Sequence, residues 1–108
     1  MAKLEKTFVC DFNTLLQKIE KGILDSSISA TLEEVADYRG TDSRCSVRVF
    51  ERYSWSGSNR VSMSVTLYQS GKAIQLCAIT SGGSQAAFFK VNTLGEEAFL
   101  ETLEKILR

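Results

Sequence analysis

The sequence predicts an α+β fold of two layers, in which an antiparallel sheet of five to six strands carries two helices on one face. Three observations support this fold class. Apolar and polar residues alternate over much of the stretch from Ile28 to Thr80, as is typical of half-buried strands. Helical apolar stripes lie before and after that stretch. The turns between the alternating segments are too short for parallel crossovers, so the strands run antiparallel.

The N-terminal part of the chain predicts a strand followed by a helix. Residues 4–10 (LEKTFVC) alternate weakly and predict the first strand. Apolar residues then recur at helical spacing, at Phe12, Leu15, Leu16, Ile19 and Ile23. Asp11 or Asn13 is the expected N-cap, and Gly22 with the polar cluster 25–27 marks the expected end of this helix.

Four further strands follow, each with a period of two. Their predicted inward-facing residues are Ile28, Ala30 and Leu32, then Cys45, Val47 and Val49, then Val61, Met63, Val65 and Leu67, then Ile74, Leu76 and Ala78. Turn-forming stretches separate the strands at 37–43 and 54–59, and Ser70-Gly71 is a tight hairpin signal. Such alternation predicts one dry face and one largely wet face of the sheet.

The C-terminal part predicts the second helix. Thr93 and Glu96 form a T-x-x-E capping box. The apolar stripe after it consists of Phe99, Leu100, Leu103, Ile106 and Leu107. Residues 86–91 could add a further edge strand, which leaves the element order as β-α-β4/5-α. That order resembles the TATA-binding-protein-like arrangement and a shortened helix-grip fold, a resemblance of topology that implies no function.

Composition excludes several classes of function. The chain has 108 residues, enough for a single domain (1–108) with one core. It contains no histidine, which excludes Ser-His-Asp and Cys-His catalysis and the HExxH zinc site. Its 13 basic and 13 acidic residues cancel, so no overall field attracts nucleic acid or membranes. We therefore expect no enzymatic activity, no metal and no cofactor.

The cysteines and the hydropathy of the chain predict a cytoplasmic protein. Cys10, Cys45 and Cys77 are widely spaced, and each lies in an apolar, strand-like run. We interpret them as buried structural thiols, the alternative being a reactive or redox thiol. No apolar run has the length of a membrane span, and the first ten residues lack the apolar stretch of a signal peptide. We therefore expect no membrane association.

Several separated segments resemble a known family. They are VRVFERYS (47–54), NRVS (59–62), AITSGGSQ (78–85), FFK (88–90) and GEEAFL (95–100). In this order they resemble a small bacterial family, known mainly from Firmicutes, that is classified as a domain of unknown function. Since that family has no established activity, the resemblance implies a small cytosolic protein and transfers no functional residues.

The first candidate surface is the wet face of the predicted sheet. Its expected residues combine arginines with aromatic side chains, and they are Arg44, Arg48, Phe50, Arg52 and Tyr68. Such a face suits a protein interface, and it could also stack and neutralise single-stranded nucleic acid. The neutral overall charge argues against nucleic acid. The alternative is a solvated face whose arginines pair with acidic side chains.

Two loops are further candidate sites. Ser81, Gly82, Gly83, Ser84 and Gln85 form a Gly-rich loop whose backbone N–H groups could bind an anion. No phosphate-binding motif accompanies these glycines, and the alternative is a bulge that redirects the chain. Trp55 could anchor a partner, or it could fold back over the sheet edge.

These observations predict a non-enzymatic binding domain that forms a homodimer through the sheet face or an edge strand. Two helices cannot fully cover a sheet of this size, and an exposed apolar patch normally meets a partner. One alternative is a small-molecule binder with a pocket between sheet and helices. Its expected lining is Phe8, Met63, Phe88 or Phe89, Phe99 and the loop 81–85. A weaker alternative is an RNA or nucleotide binder that uses the arginines and aromatic residues of the sheet face.

Overall fold

The computed structural model describes residues 1–54, 59–82 and 89–108, without the side chains of residues 89–93. In these ranges the elements are β1 (Ala2–Phe8), α1 (Phe12–Asp25), β2 (Thr31–Arg39), β3 (Ser43–Tyr53), β4 (Arg60–Ser70), β5 (Ala73–Gly82) and α2 (Phe89–Ile106). The five strands form one antiparallel sheet in the order β1-β5-β4-β3-β2. The predicted α+β fold class, an open antiparallel sheet with two helices in two layers, is confirmed.

Helix α1 begins where the sequence predicts. Asp11 is its N-cap, and Asp11 Oδ2 accepts hydrogen bonds from Thr14 N at 2.9 Å and from Thr14 Oγ1 at 2.8 Å. Gly22 does not end the helix, which continues to Asp25. A Cβ on Gly22 would lie 2.8 Å from Ile106 Cδ1, so this glycine lets α1 and α2 approach each other closely.

Helix α2 begins before the predicted capping box. It starts at Phe89, so Thr93 lies inside the helix and is not its N-cap. Glu96 makes other contacts, since its Oε2 accepts from Gly82 N at 2.8 Å and its Oε1 lies 2.7 Å from the Met1 ammonium. The edge strand considered at 86–91 is wrong for residues 89–91, which are helical. Residues 86–88 lie outside the described residues.

Strand boundaries differ from the prediction at several places. β2 continues to Arg39, through the first three residues of the turn predicted at 37–43. β1 covers Ala2–Phe8 and not 4–10. β2 begins at Thr31, and Ile28 lies before it with a fully exposed side chain. The Ser70-Gly71 signal does mark a hairpin, in which Gly71 has a φ of 63°, a value that glycine adopts without strain.

The core lies between one face of the sheet and the two helices. As predicted, Val61, Met63, Val65 and Leu67 of β4 and Ile74, Leu76 and Ala78 of β5 are buried there. They pack with the apolar stripe of α1 and with Phe99 and Leu103 of α2. The buried residues on the sheet belong to this one face, which we call the covered face.

The predicted orientation of β3 is wrong. Phe50 is fully buried, and the register pairs it with Met63 of the covered face, while Arg48 pairs with Val65. Cys45, Val47 and Val49 therefore point to the opposite side. Both sets of β3 residues contain apolar side chains, so alternation alone could not distinguish the covered set. Contacts with the helices decide it.

Candidate functional site

The arginines of β3 join the sheet to the helices. Arg48 is 7% exposed; its Nε donates to Glu20 Oε2 at 2.7 Å and its Nη1 to Asp37 Oδ1 at 3.0 Å. The guanidinium of Arg44 lies 3.9 Å from the ring centroid of Phe12. These side chains bind α1, so they are not available to a ligand on the other face.

The hydrogen bonds around Arg48 favour the charged states of Arg48 and of Asp37. Burial alone would lower the pKa of Arg48, but the hydrogen bonds to Glu20 and Asp37 raise it above its ordinary value. The pKa of Asp37 is lowered, first by the hydrogen bond from Ser46 and then by that from Arg48. This cluster is a structural ion-pair network that links α1, β2 and β3.

The predicted sheet-face site is therefore mostly misplaced. Arg44, Arg48, Phe50 and Arg52 all lie on the covered face of the sheet. Tyr68 alone of that set lies on the other face, where it is 43% exposed. Because Arg44, Arg48 and Arg52 lie on the covered face, the exposed face of the sheet lacks the three arginines that the predicted nucleic-acid surface requires.

The second face of the sheet, which we call the open face, carries exposed apolar and aromatic side chains. It contains Cys45, Val47, Val49 and Tyr53 of β3, Tyr38 and Ala36 of β2, Tyr68 of β4, and Cys77 and Ile79 of β5. Tyr38 is 65%, Tyr53 49% and Ile79 39% exposed. In the described part of the chain both helices pack on the covered face, so no described helix covers this one.

The register of the sheet aligns one row of side chains across the open face. Lys3 pairs with Ile79, Ile79 with Ser64, Ser64 with Val49, and Val49 with Glu34. The row therefore reads Lys3–Ile79–Ser64–Val49–Glu34, with a small polar residue on the central strand. Apolar residues flank that centre, and opposite charges end the row.

Charges at one end of the open face neutralise each other. Arg60 Nε donates to Glu51 Oε1 at 2.8 Å, and Arg60 Nη2 lies 3.7 Å from Glu33 Oε2. Arg60 Nη2 also donates to Thr31 Oγ1 at 3.3 Å. The open face therefore combines an apolar area with paired charges at its margins.

The cysteines are more accessible than predicted. Cys10 is exposed, and Cys45 and Cys77 are partly exposed. The register directs Cys45 and Cys77 to the open face, opposite Tyr68 and Thr66 of β4. The interpretation of all three as buried structural thiols is wrong. Cys10 lies beyond the end of β1, Cys45 lies on the outward side of β3, and Cys77 alternates with the buried residues of β5.

Two cavities are large enough for a small ligand. One of about 410 Å³ lies on the open face and is lined mainly by Glu5, Thr7, Thr66, Tyr68, Gln75 and Cys77. The other, of about 310 Å³, is lined by Ser26, Ser27, Ser29, Arg52, Tyr53 and Ser54. Neither is lined by Phe8, Met63 or Phe99, the residues expected to bound a pocket between sheet and helices.

The two candidate loops are described only in part. Ser81 and Gly82 end β5, and Gly82 N donates to Glu96 while Ser81 O accepts from Ser62 Oγ at 3.2 Å. These two residues therefore serve the packing of α2 and the sheet. Gly83, Ser84 and Gln85, and also Trp55, lie outside the described residues.

The comparison with protein families identifies the chain. The model of a family of unknown function, DUF6054, matches residues 1–108. The chain belongs to this family. No curated protein and no solved structure matches the sequence, so DUF6054 membership brings no activity, ligand or partner with it.

Two further features are absent from the described residues. No helix there has the length and apolarity to cross a membrane. Nor do three or more Cys, Asp or Glu side chains meet there in a group that could hold a metal ion.

Proposed function

We propose that this protein is a non-enzymatic binding domain whose partner is a second copy of the same chain. The two copies pack through their open faces, related by a two-fold axis parallel to β4. The observation that carries this proposal is the self-complementary row Lys3–Ile79–Ser64–Val49–Glu34.

The two-fold axis supports the proposal because it reverses the strand order. It lays β1 of one copy over β2 of the other and β5 over β3, while β4 meets itself. Lys3 then faces Glu34 of the second copy, and Ile79 faces Val49. Each contact occurs twice, as an isologous interface requires.

The size of the open face also supports a dimer. Strands lie roughly 4.8 Å apart and rise roughly 3.4 Å per residue. Strands of 7 to 11 residues then give a face of about 800 Å², which equals the roughly 800 Å² per partner of a standard interface.

Pairing through the edge strands is less favourable. The free edge of β2 contains a bulge between Leu32 and Glu34, and bulges interrupt the ladder that an added strand needs. β1 carries Lys3, Glu5 and Lys6 within seven residues, and charged edges oppose strand addition. These features favour the sheet face over the edge as the contact.

The test is the oligomeric state of the wild type and of two matched valine variants. Sedimentation equilibrium should give twice the monomer mass at roughly 100 µM, a range in which interfaces of this size are commonly occupied. Val49→Lys places a charge against the second copy and should yield monomer. Val9→Lys is the control, because Val9 is 75% exposed and lies outside the sheet.

Two results would overturn the proposal. One is a wild-type protein that stays monomeric at that concentration. The other is a Val49→Lys variant that folds, as judged by circular dichroism, and still dimerises as well as Val9→Lys.

A further inference from the structure

Arg52 is a partly buried cation with no carboxylate partner in the described chain. Among the described residues its hydrogen-bond partner is Thr102, whose Oγ1 accepts from Arg52 Nη1 at 3.2 Å, and its guanidinium lies 4.4 Å from the ring centroid of Phe99. Arg48 and Arg60, by contrast, each contact two carboxylates. Burial lowers the pKa of Arg52, since no ion pair offsets the loss of solvation.

Most of the donors of Arg52 are therefore unused. A guanidinium has five N–H groups in a planar fork, and one of them binds Thr102. Thr102 cannot neutralise the charge, because it is a hydroxyl that itself donates to Ala98 O at 3.1 Å. The free donors belong to a side chain that lines the cavity of about 310 Å³.

The serines of this cavity offer a further donor. Ser27 Oγ and Ser29 Oγ lie 3.1 Å apart, so the proton of one hydroxyl occupies the bond between them. Ser27 Oγ also accepts from Ser29 N, and Ser29 Oγ accepts from Tyr53 N. Within residues 1–54, 59–82 and 89–108 the second hydroxyl proton of the pair has no acceptor, whichever serine carries it.

We propose that this cavity binds an oxyanion group, a phosphate or a carboxylate, through the guanidinium of Arg52 and the Ser27–Ser29 hydroxyl pair. A guanidinium can donate two parallel N–H···O hydrogen bonds to a phosphate or to a carboxylate, because its planar fork matches the spacing of their oxygens. The cavity lies between the segment that follows α1 and the end of β3, and Val49 does not line it.

Two acceptors at the end of α1 already have hydrogen-bond partners. Ile23 O accepts from both Ser26 N and Ser26 Oγ. Asp25 Oδ2 accepts from Lys21 Nζ at 2.9 Å. An oxyanion therefore meets the charge of Arg52 without an unpaired carboxylate beside it.

The test is a titration with sodium phosphate and, separately, sodium acetate, followed by ¹H–¹⁵N correlation spectra at constant ionic strength. Wild-type protein should show saturable shifts of the Ser27, Ser29 and Tyr53 amides with at least one of the two anions. The stronger binder of the two identifies the ligand class.

Variants assign the effect to Arg52. Arg52→Gln should abolish the saturable shifts, and Arg52→Lys should weaken binding by about tenfold, because it keeps the charge and loses the fork. Arg44→Gln is the matched control, since it removes the same charge and the same type of ring contact, and it should bind as the wild type does. Arg52→Lys keeps the test decisive if Arg52→Gln does not fold.

Either of two outcomes would overturn the proposal. The first is the absence of saturable shifts in the wild type with both phosphate and acetate. The second is equal affinity of the wild type and Arg52→Lys.

Discussion

Arg48 Nε donates a hydrogen bond of 2.7 Å to Glu20 Oε2, and this contact ties the middle of β3 to α1. The Arg48 side chain is 9% and the Glu20 side chain 29% exposed. A charge so placed needs its partner, because an unpaired buried ion loses hydration without compensation.

Removal of Glu20 should therefore destabilise the fold. We expect Glu20→Ala to lower the free energy of unfolding by about 2 kcal/mol, because Arg48 keeps only Asp37 as a carboxylate partner. Glu97→Ala, at an exposed position of α2, should change it by less than about 0.5 kcal/mol. Urea denaturation at pH 7 measures both, and equal effects of the two variants would contradict the structural role of Glu20.

Asp37 should make the stability depend on acidic pH. Its pKa in the folded state lies below the ordinary 3.8, so its contribution is present above pH 3.8. That contribution is lost as the pH falls through the lower pKa of the folded state. Asp37→Asn should flatten the fall of the unfolding midpoint between pH 5 and pH 2.

Ser46 is the first cause of this pKa shift, which offers an independent check. Ser46→Ala removes the hydrogen bond of 2.6 Å from Ser46 Oγ to Asp37 Oδ1. It should flatten the same acid limb in part, and adding Ser46→Ala to Asp37→Asn should change that limb little further. A steeper acid limb in either variant would contradict the assignment.

Gly22 should resist replacement by alanine. Alanine normally stabilises a helix interior by about 1 kcal/mol relative to glycine. Here its Cβ would lie 2.8–2.9 Å from three atoms of Ile106, so we expect Gly22→Ala to destabilise the protein by about 1 to 2 kcal/mol. Ile106→Ala should cost less in the Gly22→Ala background than in the wild type, as a double-mutant cycle by urea denaturation would show.

The fold class follows from sequence patterns that local physics determines. The N-cap at Asp11, the apolar stripe of α1 and the alternation of β4 and β5 all appear in the structure as the patterns predict. These elements have one face that is clearly apolar, so burial selects a single orientation. In β3 the polar residue Arg48 belongs to the set that faces inward. Its ion pairs with Glu20 and Asp37 and the burial of Phe50 stabilise this orientation.

The candidate site was harder to predict for the same reason. Reversing β3 exchanges Arg44, Arg48, Phe50 and Arg52 for Cys45, Val47 and Val49 on the open face. The sequence does contain a signal for the inward orientation of these arginines. Arg44, Arg48 and Arg52 are spaced four residues apart, so they share one face of β3, and α1 and α2 carry acidic and aromatic side chains with which they can pair. The alignment of Lys3 with Glu34 depends on strand order and register, which no local pattern contains.

The cysteines give a prediction that follows from the proposed dimer. Cys45 and Cys77 lie on the open face, whereas Cys10 is exposed outside it. Alkylation of Cys45 and Cys77 by iodoacetamide should slow in proportion to the dimer fraction as protein concentration rises. Cys10 is the internal control and should react at a constant rate, and a parallel slowing of all three would contradict a specific contact.

The contact between Lys3 and Glu34 tests the central claim most directly, by charge reversal and sedimentation equilibrium. Lys3→Glu or Glu34→Lys alone places like charges together twice in each dimer and should raise the dissociation constant by about tenfold. The double variant restores opposite charges and should dimerise within about threefold of the wild type. A double variant as weak as either single one would contradict the proposed packing of the open faces.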